Sequence, residues 1–383
     1  MKLEVSKKHL GLRIALTAIA LAVAVFAFTY AVVRIGHKDP GYQTIEAKAD
    51  AEALTYNKAV AFRYWFGGSS NEIKRGINAL TEVYTPILAA AYKQLDHQNE
   101  YSGCNSIASL NRNQGSVVAL SKELYSVLKD AYGRTVENKG YNMFAGDLYA
   151  EWESILILEE PDTFDPANNP DQAARISAIA SMVSDLSNFS LEFVDDNECT
   201  VRFSVSEEYK RFCKEFEIES VPLDLNLLHD AYMLRWIADA LFDEGCRTGY
   251  LYTAEGLVLC LDPSGTLSYD MYTLENGRET AYASVNLEDP FSATTFTAFG
   301  MGSLYGYNLG NLFRHLYFDV RTGDFTNILM SATVISRDKN LVEDVYQTMI
   351  LNTLSTEREV ASYAAELEKS GLLVSYVFQS ASN

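Results

Sequence analysis

Two oxygen-bearing side chains near the end of the chain are spaced to share one face of a helix. Asp344 and Thr348 lie four residues apart in "EDVYQT", where the apolar periodicity predicts a helix from about Leu341 to Leu354. A carboxylate and a hydroxyl on one face could bind a hard cation that prefers oxygen ligands. The same two residues also suit an ordinary helix start, in which the Asp caps and the Thr bonds back to its own turn. Both interpretations stay open on the residues alone.

Two other stretches place a carboxylate beside a turn or a helix start. Asp224 precedes "LNLLHDAY", so it could face a cleft or simply cap the following helix. The segment "RHLYFDVRTGDF", residues 314–325, reads as a strand that ends at Val320 and turns at Thr322 and Gly323. The alternative is that this segment is a degenerate copy of a motif that closes over a nucleotide.

Several well-known site types are not supported by the sequence. There is no G-x-x-x-x-G-K-[ST] loop, no G-x-G-x-x-G after a strand, no nucleophile elbow and no H-E-x-x-H pair. The five cysteines form no CxxC pair and have no histidine at ligand spacing, which argues against a zinc site. Because their number is odd, we expect mostly small buried hydrophobic residues, with one disulfide bridge at most.

The composition is that of a folded, strongly acidic chain. Hydrophobic residues make up 48% of the 383 residues and charged residues 21%, which is enough apolar material for a large core. The formal net charge of −20 repels nucleic acid and anionic lipid headgroups, so we expect no nucleic-acid partner. A small anionic ligand would need a metal ion or a cradle of backbone N–H groups to offset this charge.

The amino terminus predicts a membrane anchor. Residues 14–33 are twenty uncharged residues, which as a helix would span roughly 30 Å, the thickness of a bilayer core. The preceding residues 1–13 carry four basic side chains against one acidic side chain, which favours a cytoplasmic amino end. A cleaved signal peptide is the alternative, but its apolar region would be shorter. We therefore expect a single-pass cell-membrane protein, with a linker over 34–54 and an extracytoplasmic domain over 55–383.

The remaining periodicities interleave helices and strands without a strict βαβ repeat. We predict a strand in "KAVAFRYWFGG", helices from Asn71 to about Leu95 and after Ser121, and a helix from Leu228 to Phe242. Strand patterns recur in "GYLYTAEGLVLCLD", "ETAYASVNL" and "NILMSATVIS", followed by two helices and a last strand. The segment "EEPDTFDPANNPDQ" reads as a surface loop. The fold class that this indicates is α+β, a single mixed α/β domain.

The succession of these segments resembles one known family. In order, "EYSGCNSIASLN", "LSKELYSVLKDAYGRT", "FAGDLYAEW", "LDLNLLHDAYMLRWIADALFDEG", "FDVRTG" and "SATVISRDKNLVEDVYQTMI" look like the FAD:protein FMN transferases, the ApbE family. The resemblance covers about residues 55 to 380 and rests on the order of the motifs. It implies a Mg²⁺-dependent enzyme that transfers FMN from FAD to a Thr or Ser hydroxyl of an extracytoplasmic partner protein and releases AMP.

The resemblance also implies site residues. The family's magnesium helix carries the pair that matches Asp344 and Thr348, and its D-L-G-G-I-A-K-G-Y segment falls on "DLNLLHDAY". A backbone carbonyl of that segment would be Leu227, so the implied metal ligands are Leu227, Asp344 and Thr348, with Asp224 beside them. Asp224 and Asp344 would be the catalytic carboxylates.

The flavin would contact a second implied set. The family's loop tyrosine matches Tyr101, its Lys position holds Asp230, and Phe144 is what remains of its Gly-Ala-Phe-Asp. With Asp224, and with Phe318 from "FDVRTG", these make up the implied cofactor-binding residues: Tyr101, Phe144, Asp224, Asp230 and Phe318.

This chain departs from the family pattern at several places. Two glycines have become Asn226 and Leu227, and the early Met-Gly-Thr and the Gly-Gly-Asp turn are missing. The family's histidine falls on Leu316, and His315 stands one place early, so on a strand it would point to the opposite face and serve packing or the surface.

Two functions are therefore predicted as alternatives. One is a working flavin transferase, in which the carboxylates of Asp224 and Asp344 share a cation. The other is a non-catalytic, membrane-anchored relative that binds a flavin or a protein partner.

Overall fold

The computed structural model describes residues 37–48, 58–254, 256–263, 265–275, 278–297, 306–310, 312–338 and 340–379. The predicted anchor, residues 14–33, lies outside these ranges. Within the ranges, no helix is both long enough and apolar enough to span a bilayer.

One antiparallel sheet organises the described part of the chain. In chain order, the strands are β1 (Gly41–Ile45), β2 (Ala61–Phe66), β3 (Val117–Ala119), β4 (Phe189–Asp195), β5 (Thr200–Val205), β6 (Gly249–Tyr252), β7 (Leu257–Asp262), β8 (Leu267–Glu275), β9 (Arg278–Leu287), β10 (Phe291–Thr297), β11 (Tyr307–Leu309), β12 (Leu312–Arg314), β13 (Leu329–Ser336) and β14 (Leu373–Phe378). The main sheet has the order β1-β2-β6-β7-β10-β13-β14. Smaller sheets join β3-β5-β4, β8-β9 and β11-β12.

Helices pack against this sheet and against each other. In the described ranges they are α1 (Ser70–Leu95), α2 (Ile107–Arg112), α3 (Lys122–Glu137), α4 (Gly146–Leu156), α5 (Pro170–Ser184), α6 (Glu207–Glu215), α7 (His229–Asp243), α8 (Leu341–Thr353) and α9 (Glu357–Lys369). Helix α7 packs on α1 and on β6 and β7, and α8 packs on β10 and β13. The hairpin β8-β9 also contacts β10 and β13. Strand β10 is consequently buried along its whole length, which explains its lack of an exposed polar face.

Most predicted elements are present, and the mixed α/β class is confirmed. Ser121 caps α3 by accepting a hydrogen bond from the Leu124 N–H at 3.1 Å, as its position predicts. Helix α1 runs without interruption through Pro86. None of the five cysteines forms a disulfide, so the one bridge that the count allowed does not form.

The prediction of a strand over residues 314–320 is wrong. Strand β12 ends at Arg314, and the backbone then continues irregularly to a tight turn. The turn is closed by an isolated bridge, in which the Asp319 N–H donates to the Asp324 carbonyl at 2.9 Å. Inside the turn, the Gly323 N–H donates to the Asp319 carbonyl at 2.7 Å. Asp319 also accepts hydrogen bonds from the Arg321 side chain. The carboxylate, the arginine and the glycine of this motif therefore build the turn itself.

Gly323 is the position in this turn where a side chain would be most disruptive. Its φ is +78°, and a Cβ would lie 2.5 Å from Ile176 Cγ2 on α5. Gly323→Ala should lower the free energy of unfolding by about 1–3 kcal/mol, because it adds backbone strain to overpacking. Gly133→Ala is a suitable control, since Gly133 lies inside α3 with open space around it and should be neutral or stabilising. Denaturant unfolding of both variants measures the difference, and equal midpoints would contradict this account of the turn.

Candidate functional site

A cavity of about 460 Å³ opens beside the middle of the main sheet. Its wall combines the end of α1 and the following loop, one side of α4, the segment 224–230, parts of β7 and β10, and the residues just after β12. The lining residues are Tyr92, Asp96, His97, Gln98, Asn99, Tyr149, Glu153, Asp224, Asn226, Leu227, His229, Asp230, Leu257, Thr295, Phe296, Thr297, His315, Leu316 and Tyr317. This volume is within the range of small-molecule sites.

Asp224 is held rigidly in the wall of the cavity. It is 8% exposed, and its backbone N–H donates to the Met143 carbonyl at 2.9 Å. Its Oδ1 accepts from the Asn226 N–H at 3.1 Å and lies 3.3 Å from His97 Nδ1. The segment can approach α4 because of Gly146, where a Cβ would come within 2.3 Å of the Val221 carbonyl oxygen. Asp224 therefore caps the next turn, as the simpler interpretation predicts, and also faces the cavity.

The turn after Asp224 keeps an unusual backbone although two family glycines are missing. Asn226 has φ +51°, a left-handed conformation that Asn adopts more readily than most residues. The turn Asn226–Leu228 is a 3₁₀ helix, and Leu227 is one of the residues lining the cavity. Asn226 thus adopts a backbone conformation that otherwise favours glycine, so the loss of the family glycine does not prevent this turn.

A histidine–carboxylate pair lies at the start of α7. His229 Nδ1 is 2.8 Å from Asp230 Oδ1, and both residues line the cavity. Burial alone would lower the pKa of His229, but the hydrogen bond to Asp230 and the charges of Asp230, Asp224 and Asp96 raise it above its ordinary value. The imidazolium form is therefore favoured more than in an isolated histidine, and it offsets part of the negative charge around it.

Asp344 lies fully buried on α8. Its Oδ2 accepts hydrogen bonds from the hydroxyls of Ser292 at 2.6 Å and Ser336 at 3.2 Å, whereas its Oδ1 has no partner among the residues that the structure describes. Burial raises the pKa of Asp344 well above its ordinary value, although the two serine hydrogen bonds oppose that change. Thr348 is also fully buried, and its hydroxyl donates to the Asp344 carbonyl at 2.9 Å, as expected for a threonine bonded back to its own turn.

The residues predicted as metal ligands are divided between two places. Leu227 lies in the cavity wall, while Asp344 and Thr348 are not among the lining residues. Asp224 and Asp344 share no hydrogen-bonding partner among the described residues. However, the turn that contains Leu227 packs directly against α8. The structure thus brings Leu227 next to the helix of Asp344, and it orients Asp224 and Asp344 through separate sets of contacts.

The donor chemistry at Asp344 nevertheless fits a cation. A buried carboxylate oxygen without a partner is rare in native proteins, and a bound ion is one of the groups that can satisfy it. No group of three or more His, Cys, Asp or Glu side chains among the described residues is arranged to hold a metal ion. A site made of one carboxylate, one hydroxyl and one backbone carbonyl does not need such a group.

The aromatic residues predicted to contact a cofactor lie outside the cavity. Phe144 is in the core, stacked on Phe189 at 4.8 Å, and Phe318 is buried with its ring 4.6 Å from that of Tyr149. Tyr101 lines a smaller neighbouring hollow. Its hydroxyl donates to Asp96 Oδ2 at 2.7 Å, so it helps to fix the orientation of Asp96, which lines the cavity.

Several lining residues were not found by sequence reasoning. Asp96, His97, Tyr149 and Glu153 come from α1, its following loop and α4, and nothing in their local spacing marks them as a set. His315 also lines the cavity, but it is 4% exposed and packs edge-on against Phe296 at 4.8 Å. Burial, together with Arg314, lowers the pKa of His315 to about 3, so it is a neutral packing residue at neutral pH.

The fold is similar to that of one group of solved structures. The chain superimposes along most of its length on solved ApbE proteins, at 12–14% sequence identity. No protein-family model matches the chain, and no curated protein matches it.

Three of these structures illustrate the likeness. The ApbE protein of Thermotoga maritima has a TM-score of 0.60 at 12% identity, with 88% of this chain and 94% of that chain covered. A mutant of the flavin transferase ApbE from Vibrio cholerae has a TM-score of 0.55 at 12% identity, with 90% and 95% covered. The apo form of the flavinyl transferase ApbE from Pseudomonas stutzeri has a TM-score of 0.52 at 14% identity, with 90% and 92% covered. The chain therefore has the fold of ApbE flavin transferases.

Proposed function

We propose that this protein is a flavin transferase of the ApbE type, which moves FMN from FAD to a Thr or Ser hydroxyl of a partner protein and releases AMP. The observation that carries the proposal is the buried carboxylate of Asp344, one oxygen of which has no partner in the described part of the chain. Its helix packs against the cavity-lining turn at Leu227. The shared fold along almost the whole length of the solved flavin transferases supports it.

In this proposal, each of the following residues has a role in the transfer of FMN. Asp344, the Thr348 hydroxyl and the Leu227 carbonyl would hold Mg²⁺, which when bound neutralises charge on the diphosphate. Ser292 and Ser336 fix one oxygen of Asp344 and so leave the other free to bind. The His97–Asp224 pair faces the cavity and would hold the proton that the acceptor hydroxyl loses.

A second candidate function is favoured by the position of Thr348. Its hydroxyl is committed to its own helical turn, and neither it nor Asp344 lines the cavity. A non-catalytic protein that binds a flavin or a protein partner would retain the cavity without needing these groups. We propose the membrane anchor, the extracytoplasmic location and the domain bounds on the sequence alone.

Covalent labelling separates the two functions. The full-length protein would be incubated with FAD, Mg²⁺ and a candidate acceptor protein, and flavin fluorescence would be read on a denaturing gel. The transferase predicts a fluorescent acceptor band that disappears when Mg²⁺ is chelated. Saturable FAD binding without a labelled band, for every acceptor tried, would favour the non-catalytic function.

The affinity for FAD should depend on pH through Glu153. Glu153 is exposed to solvent at the cavity, where partial desolvation and the nearby charge of Asp224 raise its pKa to about 7, so the side chain is mainly neutral below pH 7 and mainly negatively charged above it. Because FAD carries an anionic diphosphate, its affinity should fall by roughly two- to five-fold between pH 6 and pH 8. Titrations at both pH values measure this, and Glu153→Gln should remove most of the change. A wild-type affinity that rises over the same interval would contradict the assignment.

A further inference from the structure

One edge of the main sheet carries a cluster of aromatic side chains. Tyr42 on β1 lies directly opposite Trp65 on β2, and their ring centroids are 5.2 Å apart. The Tyr42 ring is also 5.2 Å from the ring of Tyr250 on β6, which in turn is 5.8 Å from that of Tyr252. We call Tyr42, Trp65, Tyr250 and Tyr252 the edge cluster.

The edge cluster lies on the face of the sheet that is turned away from the helical core. Successive strand residues alternate in direction, and Phe62, three residues before Trp65, is fully buried in that core. Further along the sheet, the outer face is covered by the hairpin β8-β9, where Tyr269 packs against Phe291 on β10. At the edge cluster, by contrast, Trp65 is 39% exposed and the three tyrosines are half-buried. Large aromatic side chains that stay accessible on a sheet face indicate an interaction surface.

The chain enters the domain beside the edge cluster. The Lys38 backbone N–H donates to the hydroxyl of Ser70, the first residue of α1, at 3.0 Å. The predicted anchor ends at residue 33, so only residues 34–37 lie between the anchor and this contact. Even a fully extended chain spans no more than about 18 Å from residue 33 to Lys38. The predicted anchor would therefore hold this edge of the sheet close to the bilayer surface.

The charge at this entry point is opposite in sign to that of the whole chain, whose formal net charge is −20. The segments 37–42 and 61–76 carry four basic side chains against two acidic ones: Lys38, Arg63, Lys74 and Arg75 against Asp39 and Glu72. The Arg63 guanidinium lies within the edge cluster, since it donates to the Tyr250 hydroxyl at 3.4 Å and to the Tyr42 carbonyl at 3.3 Å. Tryptophan, tyrosine and basic residues are the side chains that anchor proteins at the membrane–water interface.

We propose that the edge cluster rests on the lipid headgroups of the bilayer that holds the predicted anchor. The rings of Trp65 and Tyr42 lie at headgroup level, with their apolar parts toward the acyl chains and their polar groups in the hydrated layer. The Arg63 guanidinium lies near the lipid phosphates, which accept its hydrogen bonds. This membrane contact is separate from the proposed transfer reaction. It depends on the proposed anchor and adds to it the face of the domain that meets the lipid.

Quenching of tryptophan fluorescence by a nitroxide-labelled lipid tests the membrane contact. The full-length protein would be reconstituted into phosphatidylcholine vesicles, with and without a lipid whose headgroup carries the nitroxide. The three tryptophans of the chain are Trp65, Trp152 and Trp236, so the predicted anchor itself contributes no signal. The nitroxide should quench the fluorescence of the wild type, and Trp65→Phe should abolish this quenching.

Trp236→Phe is the matched control. Trp236 is half-buried on α7, a helix that packs on the core side of the sheet, so this variant should keep the quenching seen in the wild type. Both substitutions retain an aromatic ring, and the thermal midpoints of the two variants check that each protein is folded.

Flotation of the vesicles on a density gradient separates the membrane contact from the anchor. Protein that floats with the vesicles while the nitroxide leaves its fluorescence unchanged would overturn the contact and keep the anchor. Equal quenching of Trp65→Phe and the wild type would also overturn the contact, because another tryptophan would then face the lipid. Protein that stays out of the vesicle fraction would overturn both. Cross-linking of two copies that Trp65→Phe abolishes, without quenching by lipid, would assign this face to a second copy of the chain and so overturn the contact too.

Discussion

Asp344→Asn should reduce covalent flavin transfer by at least about a hundredfold. The substitution keeps the size of the side chain and its hydrogen bonds from Ser292 and Ser336, but it removes the charge that would hold the cation. Loss of one strong electrostatic contact to the reacting group typically costs this much in rate. The rate of labelling of an acceptor protein, read by in-gel flavin fluorescence, measures the effect.

A stability measurement keeps this result from being confused with unfolding. Since burial of Asp344 is costly when it is charged, Asp344→Asn should not lower the thermal midpoint in the absence of metal. Mg²⁺ should raise the midpoint of the wild type by binding linkage, and it should not raise that of the variant. Asp338→Asn is the matched control, because Asp338 is an exposed carboxylate whose charge is felt at Asp344. Unchanged transfer in Asp344→Asn would show that this carboxylate holds no catalytic ion.

Asp165→Asn should lower the free energy of unfolding by about 3–5 kcal/mol, the largest stability loss that we expect from one side chain. Asp165 is fully buried, and its carboxylate accepts from Arg314 Nε at 2.7 Å and from the Tyr307 hydroxyl at 2.6 Å. Removing its charge takes the counter-ion away from the guanidinium of Arg314, a residue that is only 8% exposed. Denaturant unfolding measures the loss.

Two comparisons test the physical reason for this loss. Glu192→Gln breaks an exposed ion pair with Arg202 and should change stability by less than about 1 kcal/mol. Arg314→Met combined with Asp165→Asn should recover part of the loss, since no buried charge is then unpaired. If the double variant is as unstable as the sum of the two single variants, the ion pair is not what holds this loop.

The same pair predicts sensitivity to acid. Burial alone would raise the pKa of Asp165, but hydrogen bonds from Arg314 and Tyr307 and the charge of Arg314 lower it below its usual value. Its contribution to stability is therefore complete above the ordinary carboxyl pKa of about 4 and is lost as the pH falls through the lowered value.

The loop around Asp165 shows why the sequence predicted some features and not others. Its composition is that of a surface loop, and that part of the prediction rests on sound turn chemistry. Most of the loop is indeed exposed or half-buried, but the carboxylate of Asp165 is buried against Arg314, which is 149 residues away, and no local pattern carries that information. In contrast, α1, α3, α7 and α8 were predicted to within about two residues at most ends, because periodicity and caps are local signals.

The residues of the candidate site were likewise predicted only in part. Asp224, Leu227 and Asp230 were found through the order of motifs, and they do line one cavity. Tyr149, His97 and Thr297 were not found, because α4, the loop after α1 and β10 meet only in the folded chain. The strand predicted at 314–320 failed for a related reason: the Gly323 turn is set by packing against α5, which overrides the alternating pattern.

The most direct test of the transferase is the ratio of its two products. The wild-type protein, FAD, Mg²⁺ and an acceptor protein would be incubated together, with AMP counted by chromatography and FMN on the acceptor by intact mass. The account predicts one AMP released for each acceptor that gains one FMN through a Thr or Ser side chain. FAD that stays bound and intact, with neither product appearing, would contradict it.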